Sequence, residues 1–154
     1  MRLLLDTNAL LWWRVESPRL PTRVSDQIRD PDNDIVVSII SFWEIVVKKA
    51  LGKLRFLEDY EGVMADEQFA LLTVTYAHLR LLGDLPQHHR DPFDRLLIAQ
   101  ALAERIPIVT ADRAFAPYGA PTTLLPSPYR APDRRAWKRR SSIPSAPAMW
   151  WSLA

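Results

Sequence analysis

Short apolar runs alternate with longer stretches of helical periodicity over residues 1–126. Five runs, at Leu3 to Leu5, Ile35 to Val37, Leu71 to Val74, Ile106 to Val109 and Thr123 to Leu125, are continuously apolar or β-branched. That is the pattern of brief strands covered on both faces, whereas a half-exposed strand would alternate. Helical patterns are expected between them, over Asn8 to Arg14, Pro21 to Arg29, Phe42 to Leu51, Leu57 to Phe69, Ala77 to Leu82 and Pro92 to Arg105, with a turn at Arg113 to Phe115. Pro21 falls where a first helical turn tolerates proline. Gly52 falls where a helix ending near Leu51 would stop. Strands and helices in alternation predict an α/β domain, with a mostly parallel sheet of about five strands and helices on both faces.

Composition narrows the chemistry. The 154 residues suit one compact domain with an appendage, and 48% hydrophobic with 25% charged residues is ordinary globular usage. The chain has no cysteine, so disulfide scaffolds, zinc ribbons, iron–sulfur clusters and thiol catalysis are excluded, and a metal would sit on oxygen or histidine nitrogen. The amino terminus reaches Asp6 after three leucines, short of a signal-peptide apolar region, and no run approaches a membrane span. A soluble, cytoplasmic protein with no membrane partner is the expectation. The net charge of +2 is unevenly spread: residues 1–126 hold 14 Lys/Arg against 17 Asp/Glu, and residues 127–154 hold 6 against 1. This divides the chain into a domain over 1–126 and a basic, proline-rich tail over 127–154 that reads as disordered.

Four acids mark the candidate site. Asp6 directly follows the first expected strand, Glu44 lies in the helix after the second, Asp94 opens the helix from Pro92, and Asp112 follows the fourth strand. In a parallel α/β sheet the carboxyl ends of the strands share one edge, where ligands bind. Acids at helix starts are also favoured as caps of free N–H groups. Ser41-Phe42-Trp43-Glu44 reads as a capping box, and Asp91-Pro92-Phe93-Asp94 as a near relative. Gathered on one edge, however, two carboxylates about 4 Å apart repel by roughly 4 kcal/mol at an effective dielectric of about 20. A hard cation such as Mg²⁺ or Mn²⁺ compensates such a cluster and suits phosphodiester hydrolysis.

These residues resemble the PIN-domain ribonucleases, and within them the VapC-like toxins of type II toxin–antitoxin pairs. The resemblance covers residues 1 to about 126. It rests on four blocks in family order: Asp6-Thr7-Asn8-Ala9-Leu10-Leu11-Trp12-Trp13; Ser41-Phe42-Trp43-Glu44-Ile45 with Leu51-Gly52-Lys53-Leu54; Asp91-Pro92-Phe93-Asp94-Arg95-Leu96-Leu97-Ile98-Ala99-Gln100-Ala101; and Thr110-Ala111-Asp112-Arg113. The resemblance implies a three-layer α/β/α PIN-like sandwich with Mg²⁺, or Mn²⁺ in its place, held by Asp6, Glu44, Asp94 and Asp112. It implies endonucleolytic RNA cleavage by a metal-activated water, leaving a 5′-phosphate and a 3′-hydroxyl and arresting translation. It also implies a homodimer and a cognate VapB-like antitoxin that silences the acidic groove. Two departures stand out: Asn8, where relatives often carry histidine, and the tail, which has no counterpart.

Around the acids, Thr7, Asn8, Ser41 and Thr110 either orient the carboxylates or a water, or cap helices. Arg95 either meets phosphate and the acids or pairs with Asp91. Lys48, Lys49, Lys53 and Arg55, with Arg113, either carry RNA phosphates or form solvated faces. His88 and His89 read as solvated loop residues or RNA contacts, and not as a catalytic base. Trp12, Trp13 and Trp43 read as core or dimer interface. The tail pairs Arg134, Arg135, Lys138, Arg139 and Arg140 with Trp137, Trp150 and Trp151, either as an RNA-binding extension or a nonfunctional one. A catalytically silent PIN-like module that binds RNA or protein is the competing reading. A phosphotransfer domain is disfavoured because Asp6-Thr7-Asn8 lacks the second aspartate of D-x-D, and four glycines leave no glycine-rich nucleotide fingerprint.

Overall fold

The computed structural model describes residues 1–54, 60–120 and 122–124. Five strands, β1 (Arg2–Leu5), β2 (Asp34–Ser38), β3 (Ala70–Leu72), β4 (Ile108–Thr110) and β5 (Thr122–Leu124), form one sheet in the order β3-β2-β1-β4-β5. Every pairing in it is parallel. The helices are α1 (Thr7–Arg14), α2 (Thr22–Arg29), α3 (Ile39–Ala50), α4 (Tyr60–Glu67), α5 (Tyr76–Asp84) and α6 (Pro92–Glu104), with a 3-10 helix at Arg113–Tyr118.

Successive side chains of a strand point to opposite faces, and the core divides accordingly. Leu3, Leu5, Ile35, Val37 and Val109 pack with α1, α2, Phe42 and Ile45 of α3, and Val63 of α4. Leu4, Val36 and Ile108 pack with Leu96 to Ala101 of α6 and with Phe115 and Tyr118. Two cores on one sheet make the three-layer α/β/α sandwich. The chain builds β1, β2 and β3 outward in one direction, then returns past β1 to add β4 and β5 on the other side. The direction of winding therefore reverses between β1 and β4, the point beyond whose carboxyl ends such sheets bind ligands.

α5 and α6 form an antiparallel hairpin: His78 near the start of α5 meets Glu104 at the end of α6 (3.0 Å), while Arg95 near the start of α6 meets Leu85 beyond the end of α5 (3.1 Å). α6 ends at Glu104, just before β4 enters the sheet at Ile108, so it begins at the opposite, carboxyl edge, where Asp94 feels the charges of Asp6 and Asp112.

One helix start differs from the sequence expectation. α3 begins at Ile39, capped by the Ser38 hydroxyl on the Ile40 amide (3.0 Å), so Ser41-Phe42-Trp43-Glu44 is not its capping box and Glu44 lies in the second turn. Ile39 and Ile40 prolong the apolar run of β2, which hides the boundary at Ser38. Pro21 likewise is the extended N-cap of α2 and precedes its first turn. At the other end of α3, Gly52 takes φ +68°, and the amides of Gly52 and Lys53 donate to the carbonyls of Lys49 (2.9 Å) and Lys48 (2.8 Å). This is a Schellman stop, for which glycine carries no Cβ penalty. The 127–154 tail, Arg55 and Leu57 lie outside the described residues.

Candidate metal centre

Asp6 terminates β1 and caps α1. Its Oδ1 accepts from the Ala9 amide at 2.5 Å, and its side chain is 5% exposed. The Thr110 hydroxyl at the end of β4 donates to the same carboxylate while accepting from the Asp112 amide (3.0 Å), so one hydroxyl ties the two strand ends together. Asp112 caps the 3-10 helix through Oδ1 on the Ala114 amide (2.8 Å), and its side chain is the most open of the four, at 44% exposure. Asp94 sits in the first turn of α6, behind the Asp91 cap and Pro92. Glu44 is buried: its Oε2 accepts from the Thr7 hydroxyl (2.5 Å) and its Oε1 meets Lys48 Nζ (2.5 Å). Capping and site formation are therefore not rivals here. Asp6 and Asp112 each spend one oxygen on a helix start, which orients the remaining oxygen.

The four carboxylates act on one another electrostatically. Burial pushes the Asp94 carboxyl up to about 8, helped by the charges of Asp91, Glu44, Asp6 and Asp112. Burial likewise raises Asp6 to about 6, with Glu44 and Asp112 adding to the rise and the bonds from Thr110 and the Ala9 amide opposing it. Both shifts mark negative charge without enough positive charge to balance it.

Several sequence-predicted residues are placed otherwise than at the carboxylates. Arg95 is buried and donates to the carbonyls of Pro86 (2.7 Å), Leu85 (3.1 Å) and Leu82 (3.3 Å) and to the Tyr118 hydroxyl (3.4 Å). Its guanidinium closes the carboxyl end of α5, and among the described residues it forms no ion pair with the four acids or with Asp91. Replacing it with alanine leaves those carbonyls without a donor, and a destabilisation of roughly 2–4 kcal/mol is expected. Thermal unfolding of Arg95→Ala tests this; a midpoint within a degree of the unsubstituted protein would contradict the capping role. Asn8, Lys49, Lys53 and Arg113 are exposed, and Lys48 is drawn onto Glu44. Ser41 is fully buried one turn before Glu44, and its hydroxyl has no hydrogen-bond partner among the described residues. Trp12 and Trp13 lean on the core, whereas Trp43 is 53% exposed and edge-on to Phe93 at 4.8 Å.

The sequence reading of His89, as a solvated loop residue or an RNA contact, does not anticipate its place beside the acids. Its Nε2 lies 3.1 Å from Asp112 Oδ2 and 3.4 Å from Asp94 Oδ2, and these three residues form a cluster with donor atoms all within 4.8 Å of one another. The available signal was its place two residues before the Asp91-Pro92 helix start, which obliges its loop to cross the carboxyl edge of the sheet.

The residues present fit a hard divalent cation. The carboxylates offer oxygen ligands, two of them carry proton affinity raised by burial and by the neighbouring acids, and the orphaned Ser41 hydroxyl is suited to meet a water. A cavity of 390 Å³ lies elsewhere, among Trp12, Trp13, Arg29 and Glu67, and none of the four carboxylates lines it.

Comparison with known proteins agrees with this architecture. The solved structures it resembles include VapBC2 from Rickettsia felis bound to a promoter DNA fragment (TM-score 0.56, 18% identity, 81% of this chain and 96% of that one). VapBC-1 from nontypeable Haemophilus influenzae follows at TM-score 0.55 and 18% identity, covering 80% and 98%. FitAcB from Neisseria gonorrhoeae matches at TM-score 0.52 and 16% identity, covering 78% and 95%. At these identities the likeness is one of fold. Among curated proteins no relative matches the chain. The family model described as PIN domain matches residues 3–120, and on that span, which takes in all four carboxylates, the chain belongs to the PIN domain family.

Proposed function

We propose that this protein is a metal-dependent endoribonuclease toxin, cytoplasmic and homodimeric, that arrests translation and is neutralised by a VapB-like antitoxin. The observation that carries the reading is the convergence of Asp6, Glu44, Asp94 and Asp112 where the winding of the sheet reverses, with Asp6 and Asp94 short of counter-charge. The solved VapBC assemblies support the choice of partner. Among the described residues no helix is long and apolar enough to cross a membrane.

In this reading Asp6, Asp94, Glu44 and Asp112 hold Mg²⁺, or Mn²⁺ in its place. When bound, the cation lowers the pKa of a water and offsets charge on the leaving oxygen of the phosphodiester. The chain's own residues supply the orientation. Thr7 fixes Glu44, and Thr110 fixes Asp6 and the backbone at Asp112. Ser41 is placed to hold a water. Exposed Lys49, Lys53 and Arg113 are suited to the phosphates of the RNA on either side, a contact that weakens with salt. Lys48, paired with Glu44, contributes its charge inside the acidic cluster. The domain is assigned to residues 1–126 and the basic tail to 127–154, with the tail an accessory at most.

The test is incubation of purified protein with total cellular RNA. Discrete fragments with 5′-phosphate ends, formed with Mg²⁺ and absent with EDTA, are expected. Intact RNA from folded protein free of antitoxin would instead make the site a silent binding module.

A further inference from the structure

His89 is held from three sides. Its backbone N–H donates to the Tyr118 hydroxyl (2.6 Å), its ring is edge-on to Phe115 at 6.0 Å, and its Nδ1 accepts from the Asp91 amide (3.1 Å). A backbone N–H can only donate, so Nδ1 carries no proton and the ring N–H is on Nε2. That N–H is aimed at the carboxylates, 3.1 Å from Asp112 and 3.4 Å from Asp94, on a side chain only 14% exposed. With its proton there, Nε2 donates to Asp112 while Asp94 stands within ion-pair distance, and the nitrogen is not free to bind a cation.

We propose that His89 is a positioning residue of the metal centre: its Nε2–H bridges Asp94 and Asp112 and holds their oxygens at the spacing at which they take a divalent cation. The proposal rests on the metal reading above. Asp94 arrives on α6 and Asp112 from the end of β4, so no shared element fixes their separation. The His89 loop supplies the link, and Asp91 serves it twice, capping α6 with its carboxylate (2.8 Å to the Phe93 amide) and setting the imidazole with its own amide. Hydrogen-bond donors behind ligating carboxylates commonly account for about 10–100-fold in metal affinity.

The experiment is a Mn²⁺ titration of the full chain, followed by the spin-resonance signal of free Mn²⁺, in the unsubstituted protein and in His89→Ala, His89→Gln and His89→Asn. Thermal unfolding of each variant checks that it is folded. His89→Ala is expected to weaken Mn²⁺ binding about 10–100-fold. Glutamine, whose amide nitrogen reaches the Nε2 position, should restore most of the affinity, and asparagine, whose nitrogen stops near Nδ1, should not. Unchanged affinity in His89→Ala, or equal rescue by asparagine and glutamine, would overturn the proposal alone. Failure of the unsubstituted protein to bind Mn²⁺ would overturn the metal reading and this role with it.

Discussion

Metal-free protein is expected to lose stability as pH rises from about 5 to 8, and to regain it when Mg²⁺ or Mn²⁺ is added. Asp94 has its carboxyl raised from 3.8 to about 8 and Asp6 from 3.8 to about 6. Across these windows the folded state binds more protons than the unfolded chain, so stability falls with increasing pH. The penalty is absent below the unfolded value, grows through the interval, and is complete above the folded value. For Asp94, whose side chain is 26% exposed, about 1.4 kcal/mol per pH unit sets the ceiling, and relaxation and water entry reduce it to roughly 2–4 kcal/mol. A cation supplies the missing counter-charge and at pH 5 must first displace protons from these carboxyls, so its stabilising effect should be larger at pH 8 than at pH 5. Thermal unfolding in EDTA and in saturating Mg²⁺ at both pH values measures this. A midpoint in EDTA that does not fall between pH 5 and 8 would contradict the account.

Asp94→Asn should remove activity and add stability. Asparagine keeps the shape of the side chain but removes the charge that burial and four neighbouring acids oppose. In EDTA at pH 8 the variant is therefore expected to unfold several degrees above the unsubstituted protein, with most of its pH dependence between 5 and 8 gone. Its RNA cleavage should fall about 10³-fold, because losing a metal ligand forfeits several kcal/mol of transition-state stabilisation. The opposed signs are the signature of a site whose residues are selected for function at a cost in stability. Measured on one preparation, loss of both activity and stability would make Asp94 a structural acid. Retained activity would remove it from the site.

Much of this arrangement is legible in the sequence because it follows from strand order. Continuous apolar runs such as Leu3 to Leu5 and Ile35 to Val37 identify buried parallel strands, and an acid just after such a strand must lie at the carboxyl edge. Asp94 joins by a different cue, the Asp91-Pro92 start of α6, which the structure places beside β1 and β4. The misread start of α3 has a local cause, since Ile39 and Ile40 are as apolar as the strand before them and only Ser38 separates the two. Arg95 and His89 could not be read the same way. Arg95 finds its carbonyls only because α5 and α6 fold into a hairpin. His89 is pinned by Tyr118, 29 residues further along the chain. Lys48 stands four residues after Glu44, a spacing that permits the observed pair, yet spacing alone does not separate an internal counter-charge from a phosphate contact.

The proposed function requires that a cation held by the carboxylates at the ends of β1 and β4 cleaves RNA. Its most direct test is the rate of RNA cleavage by the unsubstituted protein and by Asp6→Asn, each shown folded, with Mg²⁺ and with EDTA. Cleavage seen only when both Asp6 and Mg²⁺ are present is the predicted result, and cleavage by Asp6→Asn at an undiminished rate, or cleavage that persists in EDTA, would contradict it.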